Sequence, residues 1–429
     1  MHLRAPVPFG LSLALLLLAL AAPARAFSVL AHQAVIDRSW DESIVPKIRQ
    51  RFPAATPDEI AQARAFAYGG SHVADLGYFP FGSRLFSDLL HYVRSGEFVT
   101  ALLDDAGNVQ ELAFALGAAS HYVADTIGHA EATNRVVPEL DPDLRARYGE
   151  VVTYADSSSA HMETEFRFDV LQLARSRQSP DLFRHAIAFE IAEPLLDRAF
   201  RSTYGLGLDD VFVSTDVAIT TYRWGFRELL QEATGIAWQL YQADIQRIDP
   251  QASAEQFVSS MSRADFEKQF GDSYREAGYF ARAFAWLVKL VPEVGPLESL
   301  PYKALPQEAQ DRFRSAFDDV LREYRAVVAR ARRPGTTLEN RNLDTGRPSL
   351  RGDYAPADEA WAQLVETLDE HDFAAASSAV RAAVVRHYQQ PARPPVLTAA
   401  SRPDDGDDTA IPDDVSRALA RLGSAPSRH

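Results

Sequence analysis

The chain has 429 residues and a net charge of −15, with 46% hydrophobic and 24% charged residues. These are globular proportions, with room for a sizeable core in one large domain or two ordinary ones. The acidic balance argues against electrostatic capture of a long nucleic acid or an anionic lipid surface, and the absence of cysteine excludes disulfides, a lipid-bearing N-terminal cysteine and the Cys-rich structural zinc classes.

Residues 1–26 read as an export signal. Arg4 supplies the positive start, Leu11 to Ala22 an almost continuous apolar stretch, and Ala24-Arg25-Ala26 a small-x-small cleavage site. A retained anchor is the alternative. Cleavage would leave Phe27 as the first residue and make the chain two charges more negative, through loss of Arg4 and Arg25. No later stretch reaches the roughly 18 apolar residues of a membrane span.

Most of the chain after residue 26 predicts helix, and the expected fold class is all-α. Phe27 to Trp40 reads as a short helix carrying His32. Gly69 to Pro80 reads as a loop from its glycines and proline, with Asp75 in it and His72 as a polar loop residue, not a ligand. Leu89 to Phe98 is apolar around His91. Glu111 to His129 is rich in Ala and Leu and apolar nearly all round, which predicts a buried helix. Ser157 to Ser159 offer caps for a helix carrying His161 and Glu165.

Further helices are expected over Asp216 to Ile248, Phe266 to Val291 and Gln307 to Ala331, with two short ones between Pro356 and Tyr388. Val291 to Tyr302 is a Pro/Gly-rich connector. Beyond Gln390 the chain turns to Pro, Asp, Ser and Gly, which predicts a largely disordered tail. The expected organisation is a signal peptide over 1–26, a catalytic domain over 27–245, a helical region over 246–390 and a tail over 391–429.

Seven of the eleven histidines lie between His32 and His185. His121 and Asp125, and His161 and Glu165, are each spaced i, i+4, which puts each pair on one helix face with Cβ atoms about 5–6 Å apart. His129 follows one turn after Asp125. A lone pair of this kind is usually a hydrogen bond or a solvated pair; the joint occurrence with His91, Asp75 and His32 points to metal. Spacing groups Asp75, His91, His121 and Asp125 as one set and His129, His161 and Glu165 as another. His32 with the new α-amino group of Phe27 is a third contributor, because the amine and its own carbonyl oxygen form a five-membered chelate once a metal displaces the proton. His185, His371, His387 and His429 have no carboxylate at comparable spacing in an apolar setting.

These pieces resemble the zinc-dependent phospholipase C family of bacteria, whose helical domain is similar to the single-strand-specific zinc nucleases and to the N-terminal domain of glycosylphosphatidylinositol-specific phospholipase D. The matching residues are Phe27-Ser-Val-Leu-Ala-His32, Gly-Ser-His-Val-Ala-Asp75, Leu-Leu-His91, Ser-His121-Tyr-Val-Ala-Asp125-Thr-Ile-Gly-His129 and His161-Met-Glu-Thr-Glu165. The resemblance spans roughly residues 27–245. It implies up to three zinc ions. Asp75, His91, His121 and Asp125 would hold the first, and His129, His161 and Glu165 the second. Phe27 and His32 would hold the third, with Asp125 bridging it to the first.

Two departures stand out. The bacterial phospholipases typically begin with Trp, where this chain has Phe27; only backbone atoms coordinate, so the exchange is chemically acceptable. They also place more residues between the helix Asp and the next His. The four-residue step from Asp125 to His129 matches the phospholipase D relative and leaves the head group open.

The chemistry implied is phosphodiester hydrolysis by metal-activated water, with Asp75 as the candidate general base. The expected substrate is a phospholipid, cleaved to diacylglycerol and a phosphorylated head group. Transient contact with a membrane surface is expected, and no stable nucleic-acid partner. Tyr78, Phe79 and Phe81 are candidates for an acyl or glycerol site, with ordinary core packing the alternative. The other readings are a single-strand-specific nuclease or 3′-nucleotidase, a phospholipase D-like cleavage, and a non-catalytic metal-stabilised binding protein. Nothing in the sequence sets the oligomeric state.

Overall fold

A computed structural model describes residues 29–175, 189–225, 230–254, 257, 305–331, 337–392 and 411–424. Every regular element among them is helical, as composition and periodicity led us to expect. The signal segment, Phe27, the helix expected over Phe266 to Val291 and the connector after it lie outside the described residues.

The chain enters through α1 (Val29–Ser39), which buries Leu30, Ala31, His32, Val35 and Ile36. A π-helical turn at Trp40–Ile44 leads into α2 (Val45–Arg51). Helix α3 (Pro57–His72) starts at a capping box: Thr56 Oγ1 accepts from the Glu59 N–H, and the Glu59 carboxylate accepts from the Thr56 N–H. The backbone then tightens into a 3₁₀ turn at Val73–Tyr78. Ser83 caps α4 (Arg84–Tyr92), α5 spans Ser95–Asp105, and Asn108 caps α6 (Val109–Gly128).

Helix α6 is the spine of the fold. Every residue from Leu112 to Thr126 is buried, as its all-round apolar pattern predicts. It packs most extensively on α3. The reason is local: a Cβ on Gly70 would sit 1.9 Å from the Phe114 carbonyl oxygen, and one on Gly117 would sit 2.1 Å from that of Ala67. Two glycines therefore let two helix backbones approach more closely than any side chain would permit.

After α6 a π-helical turn at His129–Thr133 leads to α7 (Asn134–Leu140), α8 (Pro142–Tyr148) and α9 (Ser158–Arg175). Then come α10 (Glu193–Tyr204), the single turn α11 (Leu208–Val211), α12 (Thr215–Trp224) and α13 (Leu230–Ile248). The long α14 (Gln307–Arg330) lies on α6, where Tyr324 donates to the Leu116 carbonyl at 3.0 Å. Helices α15 (Ala355–Glu370) and α16 (Ser378–Gln389) come next, and α17 (Asp413–Ser424) packs on α15.

Two expectations need correction. Gly69 to Pro80 is not a loop. Gly69 to His72 complete α3, Asp75 lies in the 3₁₀ turn, and both histidine and aspartate are buried. The glycines serve close packing, not mobility: a Cβ on Gly69 would fall 1.8 Å from the Glu190 carbonyl oxygen. The helix expected over Asp216 to Ile248 is helical on both sides of residues 226–229, as α12 and α13, and those four residues lie outside the described ones. The tail holds a helix. Val415, Ala418 and Leu422 form one buried face of α17, and Arg421 pairs with Asp369 on α15; prolines and aspartates upstream of it dominate the composition and hide this short amphipathic stretch.

One apolar core runs from Ala31 to Leu422 and draws on α1, α6, α14, α15 and α17 alike. A smaller cluster joins Leu30 of α1 to Val170 and Leu173 of α9 and to Trp238 of α13. Helices on both sides of residue 245 thus bury the same surface.

Candidate metal centre

The C-terminal half of α6 presents His121 and Asp125 on the face turned toward α1, α3 and α4. From α1, His32 Nε2 lies 3.1 Å from Asp125 Oδ1. The other carboxylate oxygen, Oδ2, lies 3.0 Å from His121 Nε2 and 3.4 Å from His91 Nε2 of α4. Asp75 Oδ1 is 3.6 Å from His91 Nε2, and His91 and His121 approach to 3.4 Å through Nε2. Beyond the end of α6, His129 Nε2 is 3.1 Å from Glu165 Oε1, and His161 Nε2 is 2.9 Å from the same oxygen.

Three groups of potential ligands result: His32 with His121 and Asp125, Asp75 with His91 and His121, and His129 with His161 and Glu165. All eight residues are buried, with none more than 5% exposed. Asp125 stands between the groups, one oxygen toward His32 and the other toward His91 and His121.

Electrostatics at the centre run in opposing directions. Burial drives His32 down to about 4, with His121 adding to the effect against the attraction of Asp125. His121 is buried too, but the carboxylates of Asp125 and Asp75 outweigh that and hold it up at about 9. Burial would raise Asp125, yet the imidazoles of His121, His129 and His32 keep it well below the usual carboxylate range. Glu165 goes the other way, raised by burial to about 8 against the pull of His129.

Backbone and side-chain acceptors decide which ring nitrogen points inward. His121 Nδ1 lies 3.0 Å from the Ser71 carbonyl oxygen, and His91 Nδ1 lies 2.8 Å from that of Ser87. A carbonyl can only accept, so the Nδ1 of a neutral ring carries the proton and Nε2 keeps its lone pair. Tyr78, one of the aromatics after Asp75, is buried and donates to Asp88 at 2.8 Å beside His91; Phe79 packs edge-on against Tyr222, and Phe81 is half exposed.

The residues fit zinc. Bonds of about 2.0–2.2 Å in a tetrahedron separate ligand atoms by about 3.3–3.6 Å; the closest histidine–carboxylate contacts within these groups are 2.9–3.6 Å, and all ligand atoms of a group lie within 4.8 Å of one another. Nitrogen and carboxylate oxygen are also the donor set zinc takes where cysteine is lacking. So many acidic and imidazole groups, buried together in an apolar core, call for a cation among them.

The structure brings together eight of the nine residues singled out by spacing; Phe27 lies outside the described residues. Sequence reasoning misplaced His72. It is buried, not loop-polar, with its ring 5.8 Å from that of His32 and its carbonyl accepting from Tyr222. It also missed Asp344. This buried carboxylate reaches the back of the second histidine pair, with Oδ1 3.7 Å from His129 Nδ1 and 4.0 Å from His161 Nδ1. No spacing rule links residues so far apart in the chain; the one local signal is Asn342-Leu-Asp344-Thr-Gly346, a turn sequence.

No curated protein matches the chain, and neither does any solved structure. The family model described as zinc dependent phospholipase C matches residues 31–212, a span that includes all eight assembled site residues. Through this region, the chain is similar to the zinc-dependent phospholipase C family.

Proposed function

We propose that this protein is an exported zinc hydrolase of phosphodiesters, acting on phospholipid to yield diacylglycerol and a phosphorylated head group. The observation that carries this reading is the presence of three buried ligand groups within the family-matched region, two of which meet at Asp125.

Asp75, His91, His121 and Asp125 would hold one zinc, His129, His161 and Glu165 a second, and His32 with the processed N-terminus at Phe27 a third. Zinc there supplies neutralisation of the anionic phosphoryl oxygens and acidification of a water toward pKa about 7. The protein's own share is orientation and proton handling. Asp125 spreads one negative charge over two neighbouring groups. Ser71 and Ser87, through their carbonyls, fix His121 and His91 with Nε2 inward. Asp75, held in the 3₁₀ turn, accepts the proton of the attacking water. Its rigid and buried placement, not loop mobility, supports that role. Removal of the leader would free the Phe27 amine, so export and completion of the site coincide.

The test is hydrolysis of phosphatidylcholine vesicles, with and without chelator, with products identified. Diacylglycerol and a phosphorylated head group are expected. Phosphatidic acid would instead indicate phospholipase D-like cleavage, and turnover only of single-stranded nucleic acid would indicate a nuclease. For Asp75→Asn we expect reduced turnover; full activity with full zinc content would remove Asp75 as the base.

A further inference from the structure

Asp344 lies well outside the family-matched region, on a strap that crosses the site from behind. Leu338 N–H donates to Thr100 on α5, Ser95 donates to the Arg341 carbonyl, and Leu343 N–H donates to the carbonyl of His91 itself. Asn342 Oδ1 accepts from the N–H groups of Asp344 and Thr345, closing a turn, and Asn134 of α7 donates to the Asp344 carbonyl. Gly346 ends the turn at φ +71, a conformation glycine adopts without strain. The strap is thus tied to α5 and α7 and, at His91, to a helix that carries a candidate ligand.

The carboxylate of Asp344 is divided between two duties. Oδ2 accepts from the Tyr154 N–H at 3.1 Å and from the Tyr354 hydroxyl at 2.7 Å. Oδ1 faces the Nδ1 atoms of both His129 and His161. The opposite nitrogens of those same two rings, Nε2, both face Glu165 Oε1. One carboxylate thus stands behind two imidazoles whose front edges share another.

We propose that Asp344 is a positioning residue for this ligand group: its Oδ1, 3.7 Å from Nδ1 of His129 and 4.0 Å from Nδ1 of His161, attracts the proton of each neutral ring to Nδ1 and leaves Nε2 of both as the lone-pair donor toward the metal. This inference rests on the zinc reading of the site. A carboxylate behind a ligating imidazole fixes its tautomer and raises its basicity. For His121 and His91 the same duty falls to backbone carbonyls; the pair on α9 and the turn after α6 has Asp344 instead, supplied by the C-terminal part of the chain.

The discriminating variant is Asp344→Asn, nearly identical in shape. Tyr154 and Tyr354 are both donors, so they retain the amide oxygen and leave the amide NH₂ facing the two Nδ1 atoms. Two donors then confront each other unless the histidines move their protons to Nε2, the metal-facing nitrogen. Zinc affinity is read by competition with a chromophoric chelator, and tautomers by long-range proton–nitrogen NMR on metal-free protein at a pH where the rings are neutral. We expect one zinc to weaken by about 10–100-fold with the other ions retained, and the two rings to shift from Nδ1–H to Nε2–H. A wild type that holds no zinc overturns the metal reading and this one with it. A wild type that holds zinc, beside a variant with unchanged affinity and tautomers, overturns the role of Asp344 alone. Should the variant not fold, the wild-type spectrum still decides: a proton on Nε2 of His129 or His161 overturns the proposal.

Discussion

The imidazole of His121 meets the carbonyl of Ser71 at 3.0 Å only because α3 and α6 cross without a side chain between them. Gly117 is four residues before His121 and Gly70 is next to Ser71, so the close approach and the hydrogen bond are one feature. Gly117→Ala would force a Cβ to within 2.1 Å of a backbone oxygen. We expect a loss of about 2–3 kcal/mol, high in the range for overpacking, and weaker zinc binding as Ser71 withdraws. Gly107→Ala is the control, since its Cβ would meet only Glu111 Oε2 at 3.5 Å. Urea denaturation of both variants checks this; equal midpoints would refute the packing account.

The ligand groups should come apart separately. His161→Ala is expected to lose one zinc and His32→Ala a different one, with the double variant losing both. Hydrolysis should fall by about 100-fold or more in each single variant, the worth of a few kcal/mol of charge stabilisation. Chelation of the wild type should lower Tm, because bound ligand at 100 times Kd adds about 2.7 kcal/mol per site. Elemental analysis and calorimetry are the measurements, and a Tm indifferent to chelator would count against buried zinc.

Away from the metal centre, Asp358 and His387 give opposing pH dependence. Burial raises Asp358 to about 6, against the pull of the Gly352 N–H and Arg351, and burial with Arg351 lowers His387 to about 4. A raised carboxyl contributes stability below its unfolded value near 3.8 and loses it as pH rises through about 6. A lowered imidazole contributes stability above 6.5 and loses it as pH falls toward about 4. Over this window the two trends offset each other. His387→Gln should therefore lose less Tm than wild type on acidification from pH 7 to 4, and Asp358→Asn should lose more. Parallel curves for all three proteins would contradict the assignment.

The family-matched region is expected to depend on the helices C-terminal to it. Tyr324 of α14 bonds to α6, Leu343 bonds to His91, and one core spans Ala31 to Leu422. A chain ending at residue 254 should show helical circular dichroism without a cooperative thermal transition. A sharp transition with full zinc binding would establish 27–245 as a self-sufficient domain.

Much of the site was legible because its ligands sit in local patterns. His121, Asp125 and His129 are one and two turns apart on a helix whose apolar surroundings predict burial, and His161 and Glu165 repeat the step. Misreadings arose where a residue type serves two physical ends. Gly69 and Gly70 suggested a loop through backbone freedom but are used for interhelical approach, which also buries His72. The amphipathic face of α17 spans only three turns and was lost among prolines and aspartates.

Sequence by itself determined the fold class, the donor types and two of the ligand pairs, since helix periodicity and i, i+4 geometry are properties of neighbouring residues. For His91 the acceptor is local, the Ser87 carbonyl four residues back; only the tertiary structure decided which nitrogen His121, His129 and His161 turn inward. That choice belongs to acceptors distant in the chain: the Ser71 carbonyl across a glycine crossing for His121, and the Asp344 carboxylate, 190 residues beyond Tyr154, for His129 and His161.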